Sequence, residues 1–207
     1  MSVSERFRSF YEIIQYDPFS REYSLYVRDL NTPYLILAPH GGSIEPGTSE
    51  LARAIAGSDF SVYCFEGQRS EDGKRLHITS TRFDEPMALK MAKHARTVIA
   101  IHGYSSASRS VVVGGLDDQL KDRFIQSLER VGFKASIGTH GLAGRDAYNI
   151  CNRGSSGKGV QLEISEALRR TFFQGLKSAD RQVTTPEFYK FISACRYVLL
   201  NEPQSPE

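Results

Sequence analysis

The stretch "YLILAPHGGSIEPGTSELARAIAG", Tyr34 to Gly57, decides how this chain reads. It opens with five apolar residues in a row, the pattern of a strand buried on both faces. Gly41 and Gly42 make a turn easy, and "GTSELARAIAG" then runs as a helix from a cap at Thr48 to Gly57. A buried strand feeding a helix is the repeating unit of a parallel sheet. Between the two lie His40 and Glu45, which are either punctuation or two members of a metal site.

The same grammar continues along the chain. Further strands are expected at Ser61–Phe65, Thr97–Ile101, Ser110–Val113, Phe133–Ile137 and Val160–Ile164. Between them, "DEPMALKMAKHA" reads as a helix capped by Asp84 with Pro86 in its first turn. "DDQLKDRFIQSLERVG" starts with acids, which suit the positive end of a helix dipole, and stops at Gly132. "SEALRRTFF" and "TPEFYKFISACRYVLL" supply two more helices. The expectation is an α/β fold: a single domain over residues 1–200, with a mixed, mostly parallel sheet flanked by helices on both faces. The polar residues 201–207 form a tail that frays.

Composition narrows the function classes. A chain of 207 residues can bury one sizeable core, and 40% apolar with 24% charged residues is ordinary for a globular protein. A net charge of +2 argues neither for nucleic acid nor for an anionic membrane surface. Cys64, Cys151 and Cys195 are widely spaced and odd in number, so no disulfide framework is expected. "MSVSERFRSFYEIIQYD" lacks the apolar core of a signal peptide, and no run approaches about 18 apolar residues. The expected protein is a soluble monomer made in a cytoplasm, with release by lysis left open.

In sheets of this kind ligands bind at the carboxyl ends of the strands. His40 follows one buried strand, and His102 follows "TVIAI" in the same slot, again before a glycine. Glu45, after the Gly-Gly turn, can reach the same crevice. Two imidazoles and one carboxylate leave a coordination position open, as catalytic zinc sites do. His94 lies among Lys90, Lys93 and Arg96 and reads as part of a solvated face, while nothing directs His140 to the crevice. In "GVQLEIS" the period of two puts Val160, Leu162 and Ile164 on one face and Gln161, Glu163 and Ser165 on the other. Glu163 is then either the base beside a metal or a solvated residue of an edge strand. Just upstream, Asn152 and Arg153 in "NICNRGSSGKG" suit a substrate bearing carboxylates, because arginine grips a carboxylate bidentately.

Taken together, "APHGGSIEPGTSELA", "FEG", "LHITSTRFDEP", "VIAIHGYS", "VVVGGLD", "NICNRG" and "GVQLEIS" resemble the poly-γ-glutamate hydrolases of bacteria and their phages. These are small zinc enzymes related to the zinc carboxypeptidases. The segments occur in family order from Ala38 to Ser165. The resemblance implies a zinc-carboxypeptidase-like fold with one Zn2+ ion held by His40, Glu45 and His102, and Glu163 as general base. It further implies that Asn152 and Arg153 hold a substrate carboxylate and polarise the scissile carbonyl, and that His77 and Arg82 line the groove. Four residues, Gly41 to Ile44, separate the first two ligands, where carboxypeptidases place two; this fits the hydrolase subfamily.

The implied substrate is the anionic polymer poly-γ-glutamate, with neither nucleic acid nor membrane as partner. Arg69, Lys74, Arg75, Arg82, Arg109, Arg145 and Lys158 lie in loops that could face it, interspersed with Glu71, Asp72, Asp117, Asp118 and Asp146. Three other readings remain open at this point. The zinc could serve a deacylase or amidase of small N-acyl amino acids, Cys151 could act as a nucleophile, or the chain could be an inactive carboxylate-binding module.

Overall fold

A computed structural model describes residues 6–68 and 73–201. Arg69, Glu71 and Asp72 of the candidate loop charges, and tail residues 202–207, lie outside the described residues. In chain order the elements are α1 (Phe10–Tyr16), β1 (Tyr23–Arg28), β2 (Tyr34–Gly42), α2 (Thr48–Ala56), β3 (Ser61–Gly67), α3 (Pro86–His94) and β4 (Thr97–Tyr104). They continue with β5 (Val111–Gly115), α4 (Asp118–Arg130), β6 (Ala135–Ile137), β7 (Val160–Ser165), α5 (Glu166–Phe172) and α6 (Pro186–Leu200).

The strands form one mixed sheet in the order β1-β3-β2-β4-β7-β5-β6. Its centre, β3-β2-β4-β7, is parallel throughout, while β1 joins β3 and β5 joins β7 in antiparallel fashion. After β2 the chain steps outward to β3, then returns across β2 to lay down β4 on its other side. The direction of winding therefore reverses between β2 and β4. Loops diverge at such a point and leave a crevice at the carboxyl edge, which is where doubly wound sheets bind ligands.

Side-chain alternation explains why both faces are covered. Ile36 and Ala38 pack into one apolar layer with Leu51, Phe124, Leu168, Phe172 and Phe191, from α2, α4, α5 and α6. Leu35 and Leu37 point the opposite way, to Phe10, Ile13, Ala88 and Met91 of α1 and α3. Each large side chain so buried contributes about 1.5–3 kcal/mol, so neither layer is dispensable.

The structure corrects the sequence-based reading at several points. β2 does not stop at Ala38 but runs on through His40 to Gly42, and β4 includes His102. Position N-terminal to α2 is Gly47 in a left-handed conformation, with Thr48 already inside the helix. Glu85, not Asp84, caps α3 by accepting from Ala88 N–H at 2.7 Å, while Asp84 accepts from Phe10 N–H at 2.5 Å. β7 is not an edge strand: β4 and β5 flank it, and all six of its residues are buried.

Candidate metal centre

His40 reaches the crevice through an irregularity that sequence periodicity does not show. Along β2, Ala38 pairs with Cys64 of β3, but the next pair is Gly41 with Glu66, so β2 carries one extra residue. Pro39 has no N–H to give the ladder, which makes it a natural place for such a bulge. Regular alternation would place His40 on the face of Ile36 and Ala38. The bulge instead turns it to the face of Leu35 and Leu37, where its ring meets Phe83 edge-on at 6.3 Å between centroids. His102 shares that face with Val98, and Glu163 lies opposite His102 in the β4–β7 ladder.

Glu45 arrives by a tight reversal after β2. Glu45 N–H donates to His40 O at 2.8 Å, Ser43 N–H to Gly67 O at 2.9 Å, and Gly42 sits at a φ of +65°. A side chain on Gly41 would lie 2.0 Å from Ser49 Oγ, and one on Gly42 2.3 Å from Gly67 O, so the backbones can approach only because both are glycine. The glycines therefore serve both the last strand pairs and the reversal, which the Glu45 N–H to His40 O bond closes around them.

The resulting geometry is compact. His40 Nδ1 lies 3.2 Å from Glu45 Oε1 and 3.2 Å from His102 Nδ1, and His102 Nδ1 lies 3.7 Å from Glu45 Oε2. The far nitrogen of His40 fixes its tautomer. His40 Nε2 is 2.7 Å from Ile78 O, so it carries the proton that it donates to this carbonyl. His102 Nε2 faces Ser80 Oγ at 3.3 Å, and this hydroxyl can accept in the same way. In the neutral rings both Nδ1 atoms then present lone pairs toward each other and toward a carboxylate. Two imidazole nitrogens and a carboxylate packed this closely need a positive charge among them, either a proton on a ring or a metal cation. Donors at about 2.0–2.1 Å from a tetrahedral zinc stand roughly 3.3 Å apart, close to the spacings here.

A second grouping shares two of these residues. His77 stacks on His40 with centroids 4.0 Å apart and brings Nε2 to 3.9 Å from Glu45 Oε1, so His40, Glu45 and His77 could also hold a metal ion. His77 is half-buried, whereas the His102 side chain is 3% exposed.

Electrostatics separate the two carboxylates. Burial would raise Glu45, but the nearby His40 charge and hydrogen bonds with His102 and His40 outweigh it and hold the carboxyl well below the usual range. Gly103 N–H adds a further donor to Oε2 at 2.8 Å. Burial raises Glu163, and the Glu45 charge adds to this against opposition from His102 and His40. Burial pulls down His102, yet Glu163 and Glu45 leave it above its ordinary value. His77 is pushed down to about 3 by desolvation and by His40, and so stays neutral near pH 7.

The remaining predicted residues fare differently. Asn152 is buried, and its amide is fully engaged: Nδ2 donates to Gly144 O (2.7 Å) and Asp146 O (2.8 Å), while Oδ1 accepts from Leu116 N–H (3.1 Å) and Gly159 N–H (3.3 Å). That is all the bonding an amide has, so Asn152 holds loops together and has none left for a substrate. Arg153 is half-buried, directly after the turn Ile150–Asn152, and Arg82 is exposed. His94 and His140 are both exposed. Buried Cys151 has its thiol pushed up by desolvation and by Glu163, which leaves it protonated and unreactive. Several of the candidate loop cations are engaged with acids: Arg75 with Glu22, Arg145 with Asp118, and Lys158 with Asp117. A groove of about 520 Å³ on the other flank of the Glu45 turn also mixes signs, with Arg53 near Glu66 and Arg181 on Glu50.

Three contributors left no signal in the sequence. Ile78 and Ser80 orient the imidazoles, and a carbonyl leaves no trace in residue type. Arg169, in the helix "SEALRRTFF", is 4% exposed. It donates from Nη1 to Pro46 O (2.6 Å) and from Nε to Ile164 O (3.1 Å), tying the Glu45 turn to the end of β7. It crosses Gly103 so closely that a Cβ there would lie 2.5 Å from its Cζ.

A mixed α/β sheet whose switch point gathers His and Glu side chains able to hold a metal ion suits a hydrolase. The chain belongs to the poly-gamma-glutamate hydrolase family, whose model matches residues 7–194. It is 44% identical over 171 residues to the protein YmaC of Bacillus subtilis (strain 168), covering 81% of this chain and 72% of that one. The structure superposes on a bacteriophage poly-gamma-glutamate hydrolase with a TM-score of 0.92 at 34% identity, over 95% of this chain and 97% of the other. A zinc-free apo structure of YNDL matches with a TM-score of 0.91 at 34% identity, over 96% and 98% of the two chains. This hydrolase family is the one that the motifs from Ala38 to Ser165 resemble. Among the described residues no helix is long and apolar enough to cross a membrane.

Proposed function

We propose that this chain cleaves the γ-glutamyl amide bonds of poly-γ-glutamate with a single zinc ion held by His40, Glu45 and His102. The observation that carries this reading is the convergence of two Nδ1 atoms and one carboxylate, 3.2–3.7 Å apart. A set of two imidazoles and one carboxylate suits zinc, and the zinc-free apo form of the structurally similar YNDL points the same way. When bound, the ion supplies Lewis acidity, polarising a carbonyl and making water a nucleophile near neutral pH.

The chain supplies the proton traffic. Glu163, whose proton affinity burial raises, takes a proton from the water that attacks the amide carbon. It returns that proton to the departing nitrogen as the C–N bond breaks, leaving a carboxylate and an amine. Arg153 pairs with a substrate carboxylate and offsets charge that develops on the carbonyl oxygen. Neutral His77 stands at the mouth, where it accepts or donates one hydrogen bond to the polymer.

Incubating the purified chain with poly-γ-glutamate, sizing the products and measuring bound metal tests the reading. The expected outcome is depolymerisation that stops on chelation and returns with zinc. An intact polymer alongside cleaved N-acylglutamate would replace this reading with that of a small-molecule amidase.

A further inference from the structure

The polar face of β7 holds a second buried side chain that the chemistry above leaves unused. Gln161 is 2% exposed and, two residues before Glu163, lies on the same face of the strand. Its Nε2 donates to Glu163 Oε1 at 3.1 Å and to Leu142 O at 3.2 Å. Its Oε1 accepts from Asn149 Nδ2 at 2.9 Å, and Asn149 Oδ1 accepts in turn from Cys151 N–H at 3.1 Å. A backbone donor at one end and a backbone acceptor at the other leave only one way round for both amides. Gly144, at a φ of +60°, forms the wall behind them, since a Cβ there would lie 2.5 Å from Gln161 Cδ.

We infer that Gln161, locked by Asn149, is a positioning residue that aims the Glu163 carboxylate at the reacting water. This rests on Glu163 being the base. A base works only when held within hydrogen-bond reach of its proton, and a carboxylate on a flexible stem needs an anchor to stay there. A lysine or arginine anchor would pin the oxygen but stabilise the charged form strongly and so weaken the base. An amide pins one oxygen with a neutral donor and leaves the other for the proton. Asn149 ensures that Gln161 presents its nitrogen to Glu163, not its oxygen.

Two substitutions test this with little change of volume. Gln161→Met keeps the length and removes the donor. Asn149→Asp puts an acceptor where Gln161 Oε1 looks for a donor, so the Gln161 amide turns over and offers its oxygen to Glu163. In the metal-free protein, the side-chain amide resonances lost in Gln161→Met belong to Gln161, and they are expected to shift in both Asn149→Asp and Glu163→Gln. With zinc bound, both Gln161→Met and Asn149→Asp are expected to lower kcat on the polymer by about tenfold or more, with KM within about twofold and bound zinc unchanged. Amide resonances indifferent to Glu163→Gln overturn the proposal, as does a kcat per zinc-loaded Gln161→Met molecule within about twofold of the parent. If the parent chain leaves the polymer intact, it is the proposed function that fails, and the resonances still decide whether the contact exists.

Discussion

Glu45 and Glu163 are the same residue type, both shielded from water, and both close to His102, yet their surroundings drive them in opposite directions. Glu45 sits on a reversal where His40, His102 and the Gly103 N–H all meet its oxygens, and its carboxyl stays ionised far into acid. Glu163 sits in a strand buried on both faces with one neutral amide for a partner, and it retains affinity for a proton. A carboxylate crowded by donors makes a ligand, and one short of donors makes a base. The division of labour is set by backbone placement, not by residue type.

The largest expected effect comes from breaking the ligand side. Glu45→Ala and His102→Ala are expected to lose bound zinc and activity together, whereas His77→Ala keeps its zinc; metal analysis of the three purified variants checks this. Zinc lost from His77→Ala and kept in His102→Ala would move the centre to the His77 grouping. On the base side, Glu163→Gln is expected to keep zinc while kcat falls by about 100- to 10,000-fold. Steady-state kinetics with metal analysis separates these two kinds of failure.

Next in size is the clamp that joins the two sides. Arg169→Met leaves the carbonyls of Pro46 and Ile164 buried without their donors, at a cost of about 2 kcal/mol or more in urea unfolding. Smaller still is the pH dependence of stability in the metal-free protein, where the two glutamates carry opposite signs. Glu45 has a folded-state pKa below its ordinary value of 4.5, so its contribution is full above that pH and is lost as pH falls. Glu163 has a folded-state pKa above 4.5, so its carboxyl costs nothing at lower pH and becomes destabilising as pH rises past that value. Glu45→Gln should thus lose most relative to the parent near neutrality and least in acid, and Glu163→Gln should gain stability toward neutrality. Unfolding curves across pH 3–8, with the same sign for both variants, would remove the distinction.

Much of this was legible in the sequence, and what was not has physical causes. The buried runs announced β2 and β4 because a strand covered on both faces must be apolar, and a histidine ending such a run stands out; β7 showed only as alternation, because its polar face is buried too. α1 and β1 left weaker signals: one is a seven-residue helix, the other an edge strand with half its residues partly exposed. The bulge at Pro39 was invisible because periodicity assumes an unbroken ladder, although it is what brings His40 onto the face of His102. Asn152 read as a substrate contact because residue type does not say whether an amide is already fully used. Arg169 and Gln161 drew no functional reading for the converse reason, since only the packed structure shows them buried and bonded.

The winding reversal between β2 and β4 also says when this centre can exist during folding. His40 and His102 are 62 residues apart in sequence, with β3 and α3 laid down between them. Neither strand brings a complete donor set alone, and β7 must still dock on β4 before Glu163 arrives. Contacts of such long sequence separation form late and slowly. Uptake of a metal ion during refolding would therefore time the closing of the whole sheet, not the appearance of any local helix or turn.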